Sequence, residues 1–175
     1  MTELTPEEVE YFMGQALQEA KKAAALGEVP IGAVVVLKGQ IIGRGFNLRE
    51  RAQDASQHAE VMAITEASRY LHSWRLPEAQ LFVTLEPCIM CAGLIQQTRI
   101  DKLYYGAEDP KGGAVNSLYQ ILADQRLNHQ VEVNAGVRQS EASQLLKAFF
   151  KAIRQRQKAV KRARKDASQM KKDML

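Results

Sequence analysis

The chain has 175 residues, 46% hydrophobic and 25% charged, with a formal net charge of +4, which allows one domain with a core and excludes collagen-like, low-complexity and wholly disordered classes. Its longest strongly apolar run, Ala33 to Leu37, is far short of the ~20 residues of a membrane helix, and the acidic start MTELTPEEVE lacks the basic and apolar regions of a secretory signal, so a cytoplasmic chain without a membrane partner is expected. Charge is segregated: residues 147–175 hold eleven Lys or Arg against two Asp, leaving 13 basic and 18 acidic groups in residues 1–146, so an acidic polymer is a candidate partner.

Thr5-Pro6-Glu7-Glu8 forms a capping box, with Thr5 as the cap, Pro6 at the first helical position and Glu8 reaching back. Val9, Phe12, Met13, Ala16, Leu17 and Ala20 recur at helical spacing behind it, and Gly27 stops the helix before Pro30. The period then changes. Ala33 to Leu37 is a β-branched run, and Lys38-Gly39-Gln40 turns it into Ile41 to Arg44, a hairpin of short strands. Asn47 to Gln57 is polar and ends before His58, from which Ala59, Met62, Ala63, Ala67 and Leu71 mark a second helix. Leu81 to Thr84 reads as a buried strand that Pro87 ends, and Cys88 to Gln97 as a third helix. Leu103 to Tyr105 is a further strand, Asp109 to Gly113 a loop, and Val131, Val133 and Ala135 alternate in a last strand. From Ser140 the pattern is helical, with Leu145, Leu146, Phe149 and Ile153 apolar, and fades into the basic tail. Strands separated by helices, plus one hairpin, predict a mixed sheet with helices on both faces.

Chemistry concentrates at two helix starts, His58-Ala59-Glu60 and Pro87-Cys88-Ile89-Met90-Cys91. The two cysteines are the only ones in the chain, and a bridge between them would close too small a loop to staple a fold. Alone they also fit a thioredoxin-like redox dithiol. A helix amino terminus stabilises a thiolate, however, and one imidazole with two thiolates matches a catalytic zinc site, which keeps three protein ligands and leaves a position for water. A closed structural site would have to recruit His72, His129 or a carboxylate. Glu60, two positions from His58, points to another side of the helix and suits proton transfer rather than ligation. Zinc makes hydroxide available near neutral pH, and an amidine-like carbon bearing an exocyclic amine is the matching electrophile.

His58-x-Glu60 followed by Pro87-Cys88-x-x-Cys91 resembles the signature of the zinc-dependent nucleoside deaminases. The likeness extends through Glu28-Val29-Pro30-Ile31-Gly32-Ala33-Val34, Gly45-Phe46-Asn47, His58 to Ala63, Thr84 to Gly93 and Asp109-Pro110-Lys111-Gly112-Gly113 to Phe149-Phe150, and over about Thr5 to Arg156 it is similar to the bacterial tRNA-specific adenosine deaminase family. The resemblance implies a cytidine-deaminase-like three-layer α/β/α sandwich with a mixed sheet of about five strands, a homodimer, one zinc ion, and hydrolytic conversion of the wobble adenosine in a tRNA anticodon stem-loop to inosine. By the same resemblance His58, Cys88 and Cys91 hold zinc and Glu60 shuttles the proton. Asn47 hydrogen-bonds the purine, Val29, Pro30 and Ala59 receive the extruded base, and Asp109, Lys111, Phe149 and Arg154 contact the anticodon loop. Residues 1–156 would then form the zinc-dependent deaminase domain and 157–175 a basic helical or disordered tail. Two departures from the family pattern stand out: Pro110 and Gly112 alter the loop around Lys111, and the tail exceeds what the catalytic domain needs.

Adenine's reacting carbon is inaccessible in a stacked helix, so an unpaired loop is the cheapest substrate from which to extrude the base. A deaminase of free guanine, cytosine or a nucleoside would share the zinc site without needing the basic segment. A non-catalytic, zinc-stabilised RNA-binding module would need a fourth protein ligand.

Overall fold

Thr5 starts the first helix as its sequence predicts. The Glu8 amide donates to Thr5 Oγ1 at 3.2 Å and the Thr5 amide to the Glu8 carboxylate at 2.8 Å, closing the capping box of α1 (Pro6–Ala25). The computed structural model describes residues 3–173. The hairpin follows as β1 (Gly32–Leu37) and β2 (Gln40–Phe46). Lys38 and Gly39 between them both adopt positive φ, 50° and 74°, the mirror-type turn whose twist matches the flanking strands. Next come a single turn, α2 (Arg49–Ala52), then α3 (Ala59–Leu71), β3 (Gln80–Leu85), α4 (Ile89–Gln97), β4 (Lys102–Ala107), a 3₁₀ turn at Ile121–Ala123, β5 (Glu132–Ala135) and α5 (Gln139–Asp173). Neither α2 nor the 3₁₀ turn is foreshadowed by periodicity; each is too short to show one.

The five strands lie in the order β2-β1-β3-β4-β5. β1 is antiparallel to β2 and to β3, while β3, β4 and β5 run parallel. Side-chain alternation splits the core in two. Val34, Val36, Phe82 and Tyr104 pack with α1 residues such as Phe12, Met13 and Leu17 and with Ala142 of α5. Val35, Leu81, Val83, Leu103 and Tyr105 pack on the other face with Ala63 and Ala67 of α3 and Ala92 and Ile95 of α4. The result is the expected three-layer α/β/α sandwich around a mixed five-stranded sheet. Among the described residues no helix is long and apolar enough to cross a membrane.

Strand direction determines where a site can form. β2, β3 and β4 point the same way, so their carboxyl ends and the entry to β1 share one edge of the sheet. In open α/β sheets ligands bind at that edge. Close packing brings α3 there: a Cβ on Gly43 would collide with the Ala63 carbonyl, and one on Gly45 with the Ala59 carbonyl. Bare glycines on β2 face the alanine stripe Ala59, Ala63 and Ala67 of α3, all fully buried, so the helix lies directly on the strand.

Candidate active site

His58 and Cys88 occupy the same local position, the extended cap residue just ahead of α3 and of α4. Cys91 lies in the first turn of α4 and is buried. The two helix starts meet at the sheet edge. His58 Nδ1 is 3.7 Å from Cys88 Sγ and 3.6 Å from Cys91 Sγ, and the three ligand atoms lie within 4.8 Å of one another. Tetrahedral zinc with bonds of ~2.3 Å to sulfur and ~2.0 Å to nitrogen separates such atoms by about 3.6 Å. The group fits zinc in donor type and in spacing. Among the described residues no other set of His, Cys, Asp or Glu side chains converges in this way. His72 is an exposed left-handed residue ending α3, and His129 Nε2 sits 2.8 Å from the Ile100 carbonyl.

Titration at the site follows from this crowding. The hydrogen bond with Cys91 holds the Cys88 thiol at about 3, against burial and with help from His58. Cys91 is pushed up, first by that same bond and then by burial. The bond to Cys88 also raises His58. Glu60 is only 4% exposed, and burial lifts its carboxyl to about 7, partly opposed by its own amide and by His58. A carboxyl poised near neutrality can both accept and return a proton. It stands outside the set of converging ligand atoms.

A cleft of about 600 Å³ opens over this group. Val29, Asn47, Ala59 and Glu60 line it beside His58 and Cys88, and Asp109, Lys111 and Arg154 line it further out. Asn47 is buried; its Nδ2 donates to the Val29 carbonyl at 3.3 Å, and its Oδ1 accepts from the Arg49 amide at 3.3 Å. Those bonds fix the amide and leave one donor hydrogen and one acceptor lone pair of the side chain for another partner. Two expected residues are not in the cleft wall. Pro30 is buried behind it. Phe149 is half-buried and packs edge-on against Phe150 at 5.5 Å, and Phe150 is the ring that lines the cleft.

Two buried carboxylates around the cleft escaped sequence reasoning. Glu86, 2% exposed, accepts from the amides of Asp109 at 3.0 Å, Val115 at 3.1 Å, Asn116 at 2.8 Å and Ser117 at 2.9 Å, and from Ser117 Oγ. Burial raises its carboxyl, but Ser117 and the surrounding amides outweigh that and hold it at about 2. It thereby gathers the loop after β4 against the Cys88 segment, and this loop brings Asp109 and Lys111 to the cleft. Glu28, 1% exposed, accepts from the Arg51 amide at 2.6 Å and the Glu50 amide at 3.3 Å. It caps α2 from outside, since Leu48 offers that turn no side-chain cap. Both carboxylates serve amides more than twenty positions away, a pairing that no local pattern announces.

Residues 7–154 match the model of the MafB19-like deaminase family. A tRNA-specific adenosine deaminase of Streptococcus pyogenes serotype M1 is 48% identical over 162 residues, covering 93% of this chain and 95% of the relative. One from Bacillus subtilis (strain 168) is 49% identical over 160 residues, covering 91% and 98%. A solved structure from a study of A-to-I editing by tRNA:A34 deaminases at the wobble position of transfer RNA superposes with a TM-score of 0.75 at 46% identity, covering 78% of this chain and 99% of that one. Identity near one half, sustained over nearly the whole length of such relatives, goes well beyond a shared fold, and the chain belongs to the tRNA-specific adenosine deaminase family.

Proposed function

We propose that this protein hydrolyses the wobble adenosine of a tRNA anticodon loop to inosine, releasing ammonia. The observation that carries the reading is a buried carboxyl, Glu60, beside a zinc-type His-Cys-Cys group at the floor of a cleft. His58 through Nδ1 and the sulfurs of Cys88 and Cys91 would hold the ion. Zinc held by three protein ligands supplies Lewis acidity that lowers the pKa of water to about 7.

Glu60 carries the protons. Adding water to the purine and expelling the exocyclic amine requires a proton to leave the nucleophile and another to reach the leaving group. A buried carboxyl beside the ion, which can take up and give back a proton, does both. Asn47 offers its remaining donor and acceptor to the purine edge, with Val29 and Ala59 against the base and Pro30 supporting Val29 from behind. Asp109, Lys111 and Arg154 contact the loop nucleotides, with Phe150, backed by Phe149, as a stacking surface. Residues 1–156 act as the catalytic unit and 157–175 as a basic tail.

The protein works in the cytoplasm on tRNA and as a homodimer. Exposed apolar side chains at the start of α4, Ile89 and Met90, together with Leu118 and Tyr119 on the loop after β4, support the dimer. The decisive assay incubates zinc-loaded protein with an anticodon stem-loop bearing a wobble adenosine and analyses nucleosides by mass spectrometry. Inosine is expected; its absence, or faster turnover of free guanine or cytosine, overturns the reading.

A further inference from the structure

α5 changes character along its 35 residues. Its first turns pack on the sheet through Ala142, Leu145 and Leu146, and Leu146, Phe150 and Arg154, four residues apart on one side, line the cleft. From 154 to 170 every residue is exposed, over about 24 Å of helix. The match to the MafB19-like family model ends at 154, where this exposed stretch begins, while the match to the tRNA-specific adenosine deaminase of Streptococcus pyogenes, over 93% of the chain, continues into it.

Seven Lys or Arg stand in that stretch against Asp166 alone. Arg154, Lys158, Lys161, Arg162 and Lys165 recur at steps that keep them within a face about 100° wide. That face starts with Arg154 on the cleft wall and runs outward from it. Arg154 and Lys158, Lys158 and Arg162, and Lys161 and Lys165 are like-charge pairs at four-residue spacing, each costing a helix about 0.2–0.5 kcal/mol. A polyanion laid along the face removes that repulsion. No aromatic residue follows Phe150, so the face offers charge without base-stacking surface. The opposite side carries Val160, Ala163, Ala167 and the exposed Met170 but is interrupted by Arg156, and it lacks the Trp, Phe or Leu by which an amphipathic helix enters a lipid interface. The chemistry therefore favours a nucleic-acid backbone over a membrane.

We propose that the exposed basic face of α5 is an arm that binds the phosphates of the RNA stem flanking the nucleotide held in the cleft. This rests on the reading of the cleft as an RNA site. The arm reads charge and not sequence, and its contribution weakens as salt displaces the RNA from it.

The test removes four cations with Lys158→Gln, Lys161→Gln, Arg162→Gln and Lys165→Gln in one protein. Gln is a good helix former, and all four of these side chains are exposed. Binding to an anticodon-type stem-loop is followed by fluorescence anisotropy between about 50 and 200 mM KCl. The plot of log affinity against log salt becomes shallower by about 3, from 0.7–0.9 per cation lost, and affinity at the low-salt end falls at least about tenfold. A stem of scrambled sequence gives the same losses. An unchanged slope overturns the arm, as does a loss confined to one stem sequence. Tight binding of the wild type to phosphatidylserine vesicles that the stem-loop does not compete away also overturns it, in favour of a lipid partner. A wild type that shows the slope difference but forms no inosine refutes the deamination reading and leaves the arm standing. One that forms inosine while the variant keeps its slope refutes the arm alone.

Discussion

Glu60 and Glu86 are both buried carboxylates, yet their surroundings drive them in opposite directions. Burial dominates at Glu60 and lifts it to about 7; donors dominate at Glu86 and hold it at about 2. Glu60→Gln keeps the shape and removes the proton carrier, so inosine formation should fall by about 10²–10⁴-fold with zinc content unchanged. Single-turnover assays with elemental analysis check this, and loss of the metal would make Glu60 a support of the centre instead. Glu86→Gln replaces an acceptor-only group with an amide whose NH₂ faces donors, costing about 1–3 kcal/mol at neutral pH. Because the folded carboxyl titrates below its ordinary value of 4.5, its contribution is complete above pH 4.5 and is lost as the pH falls towards about 2. The wild type should therefore lose melting temperature across that window more steeply than Glu86→Gln, as read by thermal unfolding against pH. An identical pH profile would show that the five donors find other acceptors.

At the scale of elements, close approach of helix to strand is what delivers a ligand. α3 rests on Gly43 and Gly45, and its cap residue is His58. Gly45→Ala must push the Ala59 carbonyl away, so zinc affinity in a competitive chelator titration should drop together with stability, the latter by about 1–3 kcal/mol. At Gly93, in α4, a Cβ would meet nothing within 4 Å. There alanine should stabilise by up to about 1 kcal/mol through helix propensity and a stiffer unfolded chain. Destabilisation at Gly93 in a protein that runs as a dimer would show that this side of α4 is covered by the second copy. α2 illustrates the opposite case of an element held from outside. Its four residues are capped by Glu28, so Glu28→Ala should loosen α2 and with it the Asn47 segment, raising KM for RNA.

Across the whole molecule the candidate metal centre joins two halves of the chain, since His58 precedes β3 and both cysteines follow it. Stripping zinc should lower the melting temperature, and stoichiometric zinc should restore it, by the linkage of a ligand that binds only the folded state. His58→Ala should show neither response.

How much of this was legible depended on distance along the chain. The α1 cap, the hairpin turn and the helix starts at His58 and Cys88 are local, and each needs only neighbouring residues, so the sequence predicts them within a residue or two. The His-x-Glu and Cys-x-x-Cys spacings single out the residues that converge into a zinc-type group, because metal geometry constrains residue types strongly. Phe149 and Phe150 show the limit. Both sit at the edge of an apolar stripe, and only the packing of α5 decides that Phe150 faces the cleft.

By itself the sequence determined the layer architecture, the His-Cys-Cys group that could hold a metal and the separation of an acidic body from a basic end, because these follow from period, residue chemistry and charge. The tertiary structure alone decided that β2, β3 and β4 end at one edge, that Glu86 and Glu28 cap amides more than twenty residues away, and that the basic face of α5 starts at the cleft. Those are relations between distant segments, set by strand direction and by the requirement that buried carboxylates and amides find partners.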